Sequence, residues 1–237
     1  MKRIKLFENF TKSEEEISKI CQKLGIKNWT LNSEGLVDVD GDVNLKGKNL
    51  TEIPIRFGEV TGDFNCSYNY LTSLEGVPKS VGGGFYCYYN KLINLEGAPK
   101  SVGGDFYCSN NNLTSLEGVP KSIGGYFKCS NNYLTSLEGG PEIVNGNFDC
   151  SNNKLIDLYG FPLEVRGEIY LGDNTYIEPI LEILKGSNMN LNDSINLLNE
   201  FAVWVRGELK IRKVRFNALL SEMDIEPVHS IPHWTLV

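Results

Sequence analysis

Five cysteines, Cys66, Cys87, Cys108, Cys129 and Cys150, stand 21 residues apart without exception. The wording between them repeats too: FYCSNNNLTSLEGVPKSIGG is followed by FKCSNNYLTSLEGGPEIVNG. A fixed period of about 20 to 29 residues marks a solenoid. A unit this small cannot bury its own apolar residues, so burial comes from stacking one unit on the next. The chain is therefore expected to fold as a ladder of near-identical rungs.

In one register the unit reads F-x-C-x-x-N-x-L-x-x-L-E-G-x-P-K-S-V-G-G-x. Phe64, Phe85, Phe106, Phe127 and Phe148 open the rungs. Leu71 and Leu74, with their counterparts up to Leu155 and Leu158, fill the middle, and Val81, Val102, Ile123, Val144 and Val165 close them. Val43, Leu45, Leu50, Ile53 and Val60 keep the register one period earlier; Ile169, Leu171 and Asn174 keep it one period later. The reading is about seven rungs, from roughly 43 to 176. At about 4.8 Å per parallel strand, the sheet spans on the order of 30 Å.

This wording resembles the leucine-rich repeat family, whose pattern is L-x-x-L-x-L-x-x-N-x-L. Phe106, Cys108, Asn111 and Leu113 match its last four positions, while glycine (Gly82, Gly103, Gly124) replaces the first leucine. The short unit and its proline (Pro78, Pro99, Pro120, Pro141) resemble the bacterial short-repeat type. The same wording also resembles leucine-rich-repeat proteins of large tailed phages. The resemblance implies an α/β leucine-rich-repeat solenoid with a parallel sheet on the concave face and an extended convex side. It implies almost nothing about chemistry.

Repeats and short flanks account for all 237 residues. Residues 1–42 read as an N-terminal cap. There Ser13-Glu14-Glu15-Glu16 forms a capping box, Ile17, Ile20, Cys21 and Leu24 make one apolar helix face, and short strands lie near 28–32 and 36–40. Residues 177–237 read as a helical C-terminal cap. One helix starts at Pro179, a second is capped by Asp193 and carries Phe201 and Trp204, and a third runs from about Glu208 to Met223. The closing SIPHWTLV reads either as a strand or as an extended tail, and the last 60 or so residues either as a cap or as a docking module.

A formal charge of −7 argues against phosphate-backbone binding, which needs clustered Lys and Arg. No apolar run has the length of a membrane span, and MKRIKLFENF lacks the apolar core of a signal peptide. The expectation is a soluble cytoplasmic protein, in a host cytoplasm if phage-encoded, with no nucleic-acid or membrane partner. Phe and Cys in F-x-C point inward together, and Leu45 and Leu171 take the cysteine slot in the end rungs. A slot that accepts leucine suits a packed free thiol better than a disulfide or a metal ligand.

Candidate chemistry is sparse. Asn69, Asn90, Asn111, Asn132, Asn153 and Asn174 read as turn amides that bond backbone groups of neighbouring rungs. The glycine pairs, such as Gly82-Gly83, are expected to be turns, because no helix follows them to bind an anion. Glu75, Glu96 and Glu117, four residues before Lys79, Lys100 and Lys121, read as opposed charge columns. Asp38-Val39-Asp40-Gly41-Asp42 misses calcium-loop spacing and reads as a tight turn. His229 and His233 lack a helix to align them for zinc. Lys210, Arg212, Lys213 and Arg215, with Arg206, form one basic cluster. The expectation is no enzyme, no catalytic residue, no cofactor and no metal.

One surface carries a signal. Residues flanking Phe and Cys point outward, and nine of the eleven tyrosines fall on that face or its rim. The face carries Asn65, Tyr86, Tyr107, Lys128, Asp149 and Tyr170, then Ser67, Tyr88, Ser109, Ser130 and Ser151, then Tyr68, Tyr89, Asn110, Asn131 and Asn152. Tyr126 precedes Phe127, and Tyr70 and Tyr133 lie at the edge. Tyr with Ser and Asn is a paratope-like composition, rigid and adaptable at once. The expected function is a protein-binding scaffold using Tyr68, Tyr86, Tyr88, Tyr89, Tyr107, Tyr126, Lys128, Asp149 and Tyr170 toward a protein partner. Two alternatives are a structural or virion-associated protein docking through its caps, and a small-molecule or carbohydrate binder.

Overall fold

The structure, a computed structural model, describes residues 12–200, 203, 208 and 210–237. Each 21-residue unit contributes two short strands. The first lies at the F-x position: Phe64–Asn65, Phe85–Tyr86, Phe106–Tyr107, Phe127–Lys128 and Phe148–Asp149. With Val43–Asn44 and Ile169–Tyr170 at its edges, this set forms a parallel seven-stranded sheet. Register follows the period, pairing Phe64 with Phe85 and Phe106 with Phe127. The second strand lies at the S-V position, as in Ser80–Val81 and Ser101–Val102, and belongs to an eight-stranded sheet. That sheet begins with an antiparallel pair, Trp29–Leu31 and Val37–Val39, and continues through Phe57–Val60. The architecture is a repeat solenoid of parallel strands in two sheets.

One continuous core lies between the sheets. The phenylalanines form a ladder with ring centroids 5.1 to 5.9 Å apart from Phe64 to Phe148. Beside it Cys66, Cys87, Cys108, Cys129 and Cys150 are buried and unpaired. Burial pushes the Cys66 thiol up to about 12 and those of Cys87, Cys108 and Cys129 well above the ordinary value.

The asparagine column holds the turns as expected. Asn111 Nδ2 donates to the carbonyls of Cys87 and Cys108, both at 3.1 Å, and its Oδ1 accepts from the Leu92 N–H at 3.0 Å. The same three partners recur one period on at Asn132. The first glycine of each pair has a reason other than turning. A Cβ on Gly82 would lie 2.2 Å from the Thr61 carbonyl oxygen, and one on Gly103 2.2 Å from that of Gly82. Neighbouring rungs touch backbone to backbone at these glycines, whereas Asn145 and Arg166 hold the same slot in the last rungs.

The charged columns pair across rungs instead of four residues apart. Lys121 meets Glu142 at 2.8 Å, Arg56 meets Glu75 at 2.8 Å, and Lys79 reaches Glu34. The Asp38–Asp42 carboxylates are likewise spent on the next rung: Asp38 accepts from the Glu59 N–H, Asp40 from the Thr61 hydroxyl and Asp42 from the Asp63 N–H.

Before the repeats, α1 (Glu14–Leu24) carries the capping box at Ser13 and Glu16, and buries Ile17 and Cys21 in the shared core. After them come α2 (Glu178–Leu184), α3 (Leu191–Glu200) and α4 (Lys213–Glu222). Two expectations change here. Asn190, not Asp193, caps α3, its Oδ1 accepting from the Asp193 N–H at 2.9 Å. The helix expected from Glu208 begins later, because Lys210–Ile211 is a strand paired with Thr235–Leu236 from the closing segment. Phe201, Trp204 and Arg206 lie outside the described residues. Among the described residues no helix is long and apolar enough to cross a membrane.

Candidate binding face

The outer face of the seven-stranded sheet is built by alternation: with Phe and Cys inward, the residues before, between and after them face out. Its tyrosines form one connected patch. Tyr68 and Tyr89 stack at 4.6 Å; Tyr88 lies 5.4 Å from Tyr68 and 6.5 Å from Tyr107. Tyr107 in turn meets Tyr86 at 5.3 Å and Tyr126 at 5.5 Å, both edge to face. Six of the nine expected site residues are thus brought together. Lys128, Asp149 and Tyr170 lie beyond Tyr126 toward the last rung, and Lys128 pairs with Asp149 at 3.2 Å.

Two expectations for this face are corrected. Ser67, Ser109 and Ser130 are buried, not exposed, because a short side chain between tall neighbours lies below the surface. Ser67 and Ser151 donate to Oδ1 of Asn65 and Asp149, both at 2.6 Å. Ser130 has Lys128 in that position and its hydroxyl has no partner. Asp149 is only 6% exposed. It accepts from Ser151 and from the Tyr126 hydroxyl, so it organises its neighbours instead of facing outward.

Two features escaped the sequence reading. The residue two beyond each Cys adopts a left-handed conformation, and this slot holds Gly47, Asn110, Asn131, Asn152 and Asp173 wherever the rung follows the usual preference. Tyr68 (φ 54°) and Tyr89 (φ 52°) occupy the same slot, where a bulky side chain is disfavoured. Both are 46% exposed. The composition of the column was the available signal.

The second is an acidic column just before the phenylalanines, holding Asp42, Asp63 and Asp105. One oxygen of each accepts the next rung's N–H: Asp63 from Gly84 at 2.6 Å, Asp105 from Tyr126 at 2.8 Å. Gly84 interrupts the column for a steric reason: a Cβ there would lie 2.3 Å from the Tyr86 hydroxyl. Tyr86 thus lies down over Gly84, between Asp63 and Asp105. Burial first, then these carboxylates, hold the Tyr86 hydroxyl above its ordinary pKa. Burial likewise raises Tyr107, helped by its bond to Asp105 at 2.9 Å.

At the last rungs the face runs into a cleft of about 1160 Å³ against α2, lined by Tyr126, Lys128, Tyr170, Leu181 and Met189. Elsewhere, His233 packs edge-on against Tyr176, and Lys210 pairs with Glu208. Among the described residues no three His, Cys, Asp or Glu side chains gather where they could hold a metal ion. Compared with protein-family models, curated proteins and solved structures, the chain matches none.

Proposed function

We propose that the protein is a non-enzymatic binding scaffold that grips a protein partner on the tyrosine-bearing outer face of its seven-stranded sheet. The observation that carries this reading is the stacked pair Tyr68 and Tyr89 in left-handed backbone. Strained conformations persist where function uses them, and sheet propensity does not account for tyrosine in a slot that other rungs give to Gly, Asn or Asp. Aromatic anchors held rigidly by their neighbours supply contact area at low entropic cost.

We read the solenoid as about seven rungs over residues 43–176, of the short bacterial leucine-rich-repeat type. The two-residue strand on its second side supports that reading. Residues 1–42 and 177–237 act as caps over the end rungs. The cleft beside Tyr126 and Tyr170 favours one second reading, a small-molecule or carbohydrate ligand held at the C-terminal end.

The test is affinity capture from the cells that make the protein. Tyr86→Ala/Tyr88→Ala/Tyr107→Ala is expected to lose the partner that the wild type retains, with melting nearly unchanged. Lys210→Glu/Arg212→Glu/Lys213→Glu is expected to retain it. The opposite pattern would place function in the last 60 or so residues and make the sheet face bystander surface.

A further inference from the structure

Resting on that reading, we propose that the tyrosine face recognises a cationic segment of its partner, an extended stretch bearing arginine or lysine. The argument is charge complementarity laid over an aromatic surface. Five carboxylates line the outer face: Asp42, Asp63, Asp105, Glu168 and Asp173. Two lysines share it, and both are engaged: Lys128 with Asp149, and Lys46 over the Tyr68 ring at 4.9 Å.

Tyrosine rings of this chain already attract cations. Lys91 lies 5.1 Å over Tyr70 and Lys154 4.7 Å over Tyr133, both at the rim. Tyr86, Tyr88, Tyr107 and Tyr126, in the middle of the patch, have no such lysine among the described residues. A positive group above an aromatic ring is held by the ring's quadrupole, more strongly when partly desolvated. Here the ring is also flanked by charge. Tyr86 lies flat over Gly84, with Asp63 one rung before and Asp105 one rung after. The two carboxylates are about 10 Å apart, two strand spacings. Asp42 and Asp63 each use one oxygen on a backbone N–H, and the other has no partner among the described residues. A guanidinium over Tyr86 therefore meets a ring face below and carboxylates to either side.

A fold-neutral test is built into the repeat. Asn147 occupies the same column as Asp63 and Asp105, and its Oδ1 accepts the Glu168 N–H at 2.8 Å. Asp63→Asn and Asp105→Asn thus keep the bond to the next rung's N–H and remove the charge; at Asp105 the amide group also replaces the oxygen that accepts from the Tyr107 hydroxyl. The probes are an octapeptide alternating Gly and Arg and its citrulline twin, which keeps the shape without the charge, titrated calorimetrically into the full chain. The arginine peptide is expected to bind at least tenfold tighter than the citrulline peptide. Asp63→Asn/Asp105→Asn and Tyr86→Ala/Tyr107→Ala are each expected to weaken it at least tenfold. Glu59→Gln/Glu96→Gln, which removes equal charge away from this face, is expected to leave it unchanged. Equal binding of the two peptides, no binding of either, retention by the Asp63→Asn/Asp105→Asn variant, or an equal loss in the Glu59→Gln/Glu96→Gln control overturns the proposal. Partner capture separates the two readings. If Asp63→Asn/Asp105→Asn keeps the captured partner while the tyrosine triple variant loses it, the scaffold stands and the cationic segment falls. If the tyrosine variant keeps it, both fall.

Discussion

At the scale of single residues, the repeat separates side chains that hold the fold from those that decorate it. Asn111 bonds four buried backbone groups, and Asn112, one residue on, is exposed. Asn111→Ala is expected to cost about 1–3 kcal/mol for each group left unpaired, and Asn112→Ala almost nothing; urea melts of the two variants check this. The thiols make a pH prediction. Cys66, Cys87, Cys108 and Cys129 have a folded pKa above the unfolded one because burial disfavours the thiolate, so their contribution is complete below the ordinary thiol value of about 8.5. It is lost as pH rises toward about 12 for Cys66, at roughly 1.4 kcal/mol per pH unit for each thiol. Stability is expected to fall steeply above pH 9 with no change between 6 and 8, while Cys87, Cys108 and Cys129 resist alkylation at pH 8 until the chain is unfolded. Tyr68 and Tyr89 should behave in the opposite sense to anchors of the fold. Left-handed backbone costs each about 1–2 kcal/mol, and their stack returns about 0.5–1.5. Tyr68→Asn/Tyr89→Asn is therefore expected to raise stability by about 1 kcal/mol while weakening partner capture. A fall in stability would mean that these rings serve the fold. The asparagine and cysteine columns were legible because their period is strict and burial tolerates few residue types. The serines misled because alternation tells direction, not height: Ser109 and Ser130 point outward yet lie below their neighbours.

At the scale of elements, the strands are two residues long because the rung leaves no room for more. A glycine stands two residues before each phenylalanine of the ladder, and a left-handed residue follows each cysteine by two. Such strands hold only because every rung repeats the contacts of the last, so the closest contact between rungs is the sensitive one. Gly103→Ala drives a Cβ against the Gly82 carbonyl, and overpacking of this kind costs about 1–3 kcal/mol. Gly172→Ala, with nothing within 4 Å of its added Cβ, is expected to be neutral. Thermal melts of the two variants measure the difference, and equal values would show that the rungs yield freely at Gly103. Local pattern predicted α1 well, because Ser13, Glu16 and the Ile17 to Leu24 face are all contained within one helix. It failed near Lys210, where the partner strand, Thr235–Leu236, lies some 25 residues away and no local propensity reports it. The acidic column was overlooked for a related reason. Asp42, Asp63 and Asp105 are unremarkable one at a time, and become a surface only when stacking aligns them with Tyr86 and Tyr107.

At the scale of the molecule, a ladder has two ends, and each end rung presents to solvent what every other rung buries. In the eight-stranded sheet the second strand, Val37–Val39, lies against Phe57–Val60, joined through the Val37 N–H to the Arg56 carbonyl at 2.9 Å and the Thr61 N–H to the Val39 carbonyl at 3.1 Å. Ile17, Cys21, Ile26, Val37 and Val39 all belong to the same buried core as the repeats. Deleting residues 1–40 removes this layer and leaves Phe57 and Val60 beside an unpaired strand edge, a template for association with another chain. The net charge of −7 opposes close approach of copies, but its effect is screened within about 8 Å at physiological salt. An exposed edge acts at contact distance, where strand pairing and apolar burial outweigh it. The truncated chain is therefore expected to elute as large assemblies in size exclusion with light scattering, and raising the salt is expected to enlarge them. A monomeric truncation with the melting temperature of the whole chain would show that the first 40 residues are an appendage, and that the repeats from Val43 onward close their own end.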